Sequence, residues 1–169
     1  METEQLFRNL AKHNFDAGNR HSFEFIDAAT KWRVSMKVEA ADSLSTQIWE
    51  VAIFRDSQSA TASTARFNDL ALAMGKRVKG LLEPLRLIEV DVDSKVAILR
   101  SDEPTVRKSV RAHYELRIIG ENRAELRRYQ ASTAPASKRA QFGFTLTNEV
   151  LGNFLNDVTD VFESFASAE

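Results

Sequence analysis

The chain contains no cysteine, so disulfide bonds, thiolate zinc sites, iron–sulfur ligation and cysteine nucleophiles are excluded together. Proline and glycine are scarce, at three and six among 169 residues, which excludes a collagen-like or linker-dominated chain. No glycine-rich phosphate loop and no G-x-S-x-G elbow occurs, so nucleotide cradles and serine hydrolases of that type are not expected. The three histidines, His13, His21 and His113, lack the i, i+4 spacing that puts two imidazoles on one helical face. The sequence therefore predicts neither a metal nor a cofactor. Its longest apolar run, residues 70–74, is far below the roughly 20 residues needed to cross a bilayer. The first residues are acidic and lack the apolar stretch of a secretory signal. A cytoplasmic protein without membrane contact is the expectation, and 169 residues with 43% hydrophobic content suit one domain over 1–169.

What is present is an uneven charge distribution beneath a net charge of −1. Residues 105–139 hold nine bases against Glu115, Glu121 and Glu125, a balance of +6 that leaves −7 on the rest of the chain. The final 23 residues carry five acids and no base. A basic region and an acidic C-terminal segment coexist.

Hydrophobic spacing predicts three helices. Leu6, Phe7, Leu10 and Ala11 mark one over residues 4–15, and Phe67, Leu70, Ala71, Met74, Val78 and Leu81 mark a second. The third and most periodic carries Leu151, Phe154, Leu155, Val158, Phe162 and Phe165, with Thr147 as N-cap. Between them, Phe23 and Phe25 share one side of a short strand. Trp32, Val34, Met36 and Val38 alternate with polar residues in a longer strand, for which residues 47–55 supply a partner. Strands over 85–92 and 95–100 reverse at a polar turn, and the carboxylates Asp91 and Asp93 are read as part of that turn rather than as a metal site. Residues 105–119 and 123–132 flank a loop at 120–122, with Asn122 suited to its left-handed position. That loop sets Leu116 opposite Leu126, Ile118 opposite Ala124, Arg117 opposite Glu125, Glu115 opposite Arg127 and His113 opposite Tyr129. Small-residue loops are expected over 57–63 and 132–138, and a last strand over 141–145.

Short connections require antiparallel strands, and three single-striped helices need one apolar sheet face. The fold class is α+β: an antiparallel sheet of about seven to eight strands covered on one face by helices, with a long C-terminal helix, in a two-layer sandwich. In element order this resembles the type III secretion chaperones, which run helix, three strands, helix, two strands, helix, with extra strands here. It is also similar to helix-grip domains closed by a long C-terminal helix. The likeness is one of element order, without a shared motif. It implies a chaperone-like adaptor in the first case and a carrier of an apolar small molecule in the second.

Two constellations offer binding chemistry. Arg107, Arg111, His113 and Arg117 fall on the odd-numbered positions of one strand, beside Arg127 and Tyr129 on the next. Such a face suits an acidic or phosphate-rich partner, or serves as a solvated outer surface. Nucleic acid is disfavoured, because Tyr114 and Tyr129 point to opposite faces and form no stacking platform. The stripe of Phe154, Val158, Phe162 and Phe165 suits a homodimer contact or a groove for an apolar small molecule, or else ordinary core packing. The leading expectation is a non-enzymatic binding or adaptor protein that acts on a protein partner or as a homodimer. The alternatives are the carrier and an enzyme with a scattered site around Arg111, His113 and Arg127.

Overall fold

The computed structural model describes residues 1–16, 18–56, 64–81, 83–102, 104–107, 109–134 and 138–167. The loop expected over 57–63, Lys108 and Pro135 lie outside these described residues. Three helices occur among them: α1 (Thr3–Lys12), α2 (Thr64–Arg77) and α3 (Asn148–Ala166). The strands are β1 (His21–Ile26), β2 (Arg33–Ala41), β3 (Ser45–Phe54), β4 (Leu85–Asp91), β5 (Val96–Ser101), β6 (Thr105–Arg107), β7 (Val110–Ile119), β8 (Arg123–Ser132), β9 (Ala140–Gln141) and β10 (Phe144–Thr147). They form one antiparallel sheet in the order β1-β2-β3-β8-β7-β5-β4, with β6 beside β7, β9 beside β8 and β10 beside β3. The α+β architecture with a long C-terminal helix is as the sequence predicts. The strand count is higher because two expected strands are each divided, one into β6 and β7 and one into β9 and β10.

The alternation of side chains decides which face the helices cover. Val34, Met36 and Val38 of β2, Val51 and Ile53 of β3, Leu116 and Ile118 of β7, and Ala124 and Leu126 of β8 are all buried on one face. Ile48 shares that face although it lies three residues from Val51. The register between β2 and β3 slips at Trp49 and again at Glu39, so each strand contributes one bulged residue and the alternation resumes. Against this face α1 sets Leu6 and Leu10, α2 sets Phe67, Leu70, Ala71 and Met74, and α3 sets Leu151, Phe154, Leu155, Val158 and Phe162. Thr147 caps α3 as its sequence position implies, its hydroxyl accepting from the Val150 N–H at 3.2 Å.

The phenylalanine stripe of α3 is thereby consumed inside the chain. Phe162 stacks on Trp32 with ring centroids 5.4 Å apart, and the Trp32 indole N–H donates to Glu163 at 2.8 Å. Phe154, Val158 and Phe162 are buried and Phe165 is half-buried, so the expected dimer face or open groove on this stripe is replaced by core packing. The physical reason is geometric: α3 lies along β3, β10 and α2, and its one apolar stripe is what closes the sheet.

The β7–β8 hairpin adopts the anticipated register at every expected pair, from His113 opposite Tyr129 to Ile118 opposite Ala124. Its turn differs in one detail. Gly120, at φ 60°, takes the left-handed position, whereas Asn122 donates its side-chain amide to the Arg55 carbonyl at 2.6 Å. At the β4–β5 turn the Asp91 carboxylate accepts from the N–H groups of Asp93 and Ser94, which accounts for these acids as turn residues.

Candidate functional site

The sheet face away from the helices carries most of the sequence-predicted binding residues. Arg111, His113 and Arg117 of β7 lie there with Arg127 and Tyr129 of β8, and the His113 and Tyr129 rings stack at 6.0 Å. The charges on this face form a network rather than the simple cross-strand pairs that the register suggests. Arg127 holds Glu50 at 2.7 Å and Glu125 at 3.2 Å, and Arg123 holds Glu125 at 2.7 Å. Glu115 is clasped by Arg100 at 2.8 Å and Arg139 at 2.5 Å. Both Glu115 and Glu125 are buried under these arginines.

Burial alone would raise the Glu115 carboxyl, but hydrogen bonds from Arg139 and Arg100 outweigh it and hold the group below its usual range. Burial, reinforced by Arg100, pushes the His113 imidazole down, so it is neutral at neutral pH. Its Nε2 is buried without a hydrogen-bond partner among the described residues. Arg111 and Arg117 are exposed and make no ion pair among the described residues.

Arg107 is not part of this face. The chain reverses through Ser109, at φ 66°, so β6 folds back on β7 and sets Arg107 opposite Val110. Cross-strand partners share a face, and Val110 lies on the helix-covered one. The expectation of Arg107 beside Arg111 and Arg117 therefore fails, because the alternation restarts after the reversal.

On this other face the helical cover stops short. β7 and β8 are ten residues each, and their inward positions pass from buried Leu116 and Leu126, through half-buried Ala112 and Arg128, to exposed Val110 and Gln130. A cleft of about 550 Å³ opens there, lined by Glu83, Thr105, Arg107, Val110, Ala112, Arg128, Gln130 and Phe142. Four separate segments build it: the connection between α2 and β4, the β6 strand, the far end of the β7–β8 hairpin, and the link between β9 and β10.

Its polar centre is a pair of opposite charges. Arg128 donates one Nη to Glu83 at 2.9 Å and the other to the Tyr114 hydroxyl at 3.2 Å. The guanidinium lies 4.4 Å from the Tyr114 ring centroid and 5.6 Å from that of Phe142. Thr105 donates its hydroxyl to the same Glu83 oxygen that Arg128 uses. The second carboxylate oxygen of Glu83 and the Nε of Arg128 are buried and have no partner among the described residues. Buried donors and acceptors are normally satisfied, and two unsatisfied atoms on one ion pair single out this cleft. Burial raises the Tyr114 phenol, which stays a neutral hydroxyl able to accept from Arg128.

Sequence reasoning missed Glu83, Thr105, Arg128 and Phe142. A signal for Arg128 exists: the inward positions Ala124 and Leu126 are followed on the same face by Arg128 and Gln130, where an apolar stripe turns polar. The cleft offers a carboxylate acceptor, guanidinium and amide donors, and an apolar wall. No group of three metal-ligating side chains occurs among the described residues, and no described helix is long and apolar enough to cross a membrane. Compared with protein-family models, curated proteins and solved structures, the chain matches none, so its own side-chain chemistry is the ground for a functional reading.

Proposed function

We propose that the chain is a cytoplasmic binding protein that holds a small molecule in the cleft at the far end of the β7–β8 hairpin, without transforming it. One observation carries this reading: a pair of buried Glu83 and half-buried Arg128, each with a polar atom unsatisfied among the described residues, lines a recess that also has the apolar wall of Val110, Ala112 and Phe142. The recess falls within the roughly 300–1,000 Å³ typical of small-molecule sites. The ligand of this carrier sits on exposed strand ends rather than beneath α3. A fragment library followed by amide chemical shifts tests it. Binders should move the amides of Thr105, Ala112 and Gln130, and Ala112→Phe, which fills the recess from a half-buried position, should abolish those shifts while leaving the rest of the spectrum in place. Binders that cluster elsewhere, or that ignore the Ala112→Phe block, would refute the proposal.

A second reading is favoured by Arg111 and Arg117, two exposed cations on the opposite face without ion pairs among the described residues. They suit an adaptor that docks an acidic protein partner, or a homodimer built on the sheet rather than on α3. Light scattering and partner capture with the doubly reversed variant Arg111→Glu, Arg117→Glu decide it. Unchanged mass and unchanged capture would remove this reading.

A further inference from the structure

We infer that the ligand of the cleft is an amphipathic organic anion: a carboxylate or sulfonate on an apolar body that also carries a hydrogen-bond donor. This rests on the cleft being the binding site and adds the chemical class of what enters it.

The charge balance of the lining comes first. Glu83 is neutralised by Arg128 at 2.9 Å, whereas Arg107 is exposed at the cleft and has no ion pair among the described residues. One positive charge is left over. An anion gains from Arg107 without disturbing the pair, whereas a cation would have to compete with Arg128 for Glu83 and would be repelled by Arg107.

The orphaned atoms fix the rest. The free Glu83 oxygen can only accept and the Arg128 Nε can only donate; both are shielded from water, so a ligand donor and acceptor would meet them as the two side chains turn toward the recess. A purely apolar ligand would leave both unsatisfied in a drier setting, which is unfavourable. A polyphosphate would find one unpaired arginine and no glycine-rich cradle of backbone donors. Val110, Ala112 and Phe142 supply the wall for the apolar body.

Anilinonaphthalene sulfonate fits this description, with two ring systems, one N–H and one anionic group. Phenylnaphthylamine is the same body without the charge. Both are titrated against the folded protein, with fluorescence for affinity and amide shifts at Thr105, Ala112 and Gln130 for location. The sulfonate should bind about tenfold more tightly than the uncharged probe, and Arg107→Ala should erase about that factor. Arg107→Glu should weaken the sulfonate further while leaving phenylnaphthylamine unchanged. Arg107 is an exposed residue on a short strand, so both variants are expected to fold. If neither probe moves the three amides, the cleft itself is refuted as the site. If the amides move but the uncharged probe binds as tightly, or Arg107→Ala changes nothing, the cleft stands and the anionic class is overturned.

Discussion

Removing Arg128 tests whether the charged centre of the cleft is one coupled unit. Arg128→Met keeps an unbranched side chain between Tyr114 and Phe142 but deletes the cation, leaving Glu83, only 5% exposed, with Thr105 as its one remaining donor among the described residues. Breaking a buried pair from one side costs about 3–5 kcal/mol. Because 18% of the Arg128 side chain is exposed, the lower end applies, about 3 kcal/mol. Glu83→Gln should cost less, about 1–2 kcal/mol, since the amide oxygen still accepts from Thr105 and Arg128. If the two residues acted independently, the double variant would lose about 4–5 kcal/mol. With the charges coupled it should lose about 2–3 kcal/mol, an interaction of about 2 kcal/mol. Urea unfolding monitored by tryptophan fluorescence reads all four corners, with the buried Trp32 as reporter. Arg128→Met should also lower the melting temperature by about 6–12 °C for a chain of this size. Additivity within about 0.5 kcal/mol would refute the coupling, and with it the picture of a pair held together by mutual need.

Two further outcomes are expected. Phe162→Ala should destabilise by about 3–5 kcal/mol in urea without altering the mass measured by light scattering, because this ring packs on Trp32 within the chain; a loss below about 1 kcal/mol would contradict a core role for the stripe. The pH dependence concerns His113, whose folded pKa lies below the unfolded value near 6.5. The unfolded chain binds that proton more readily, so stability is full above about pH 6.5 and falls as pH drops through the folded pKa. His113→Gln should flatten the urea midpoint between about pH 7 and pH 5, and an unchanged slope would remove the contribution assigned to this imidazole.

Some of this architecture is legible locally. The hairpin register follows from a loop of fixed length between two alternating strands, and the Thr147 cap follows from a hydroxyl placed immediately before an apolar stripe. The reversal at Ser109 is not legible, because a left-handed serine gives no glycine or asparagine signal and the strand pattern continues on both sides. That single residue moved Arg107 to the other face. The α3 stripe could be seen in the sequence but not what would cover it, since amphipathicity names a buried side and not a neighbour. The cleft was hidden for a different reason: Glu83 and Arg128 are 45 positions apart, and their meeting depends on the whole strand order.

The charge network on the outer sheet face also governs how the hairpin can misfold. Sliding β8 by two residues keeps every inward side chain inward, so the apolar core alone would tolerate the error. Yet a slide in one direction would set Glu115 against Glu125 and Arg117 against Arg123, and in the other Arg117 against Arg127. Like charges meet in either case, so the acids and bases on the exposed strands act as a ratchet that admits only one alignment.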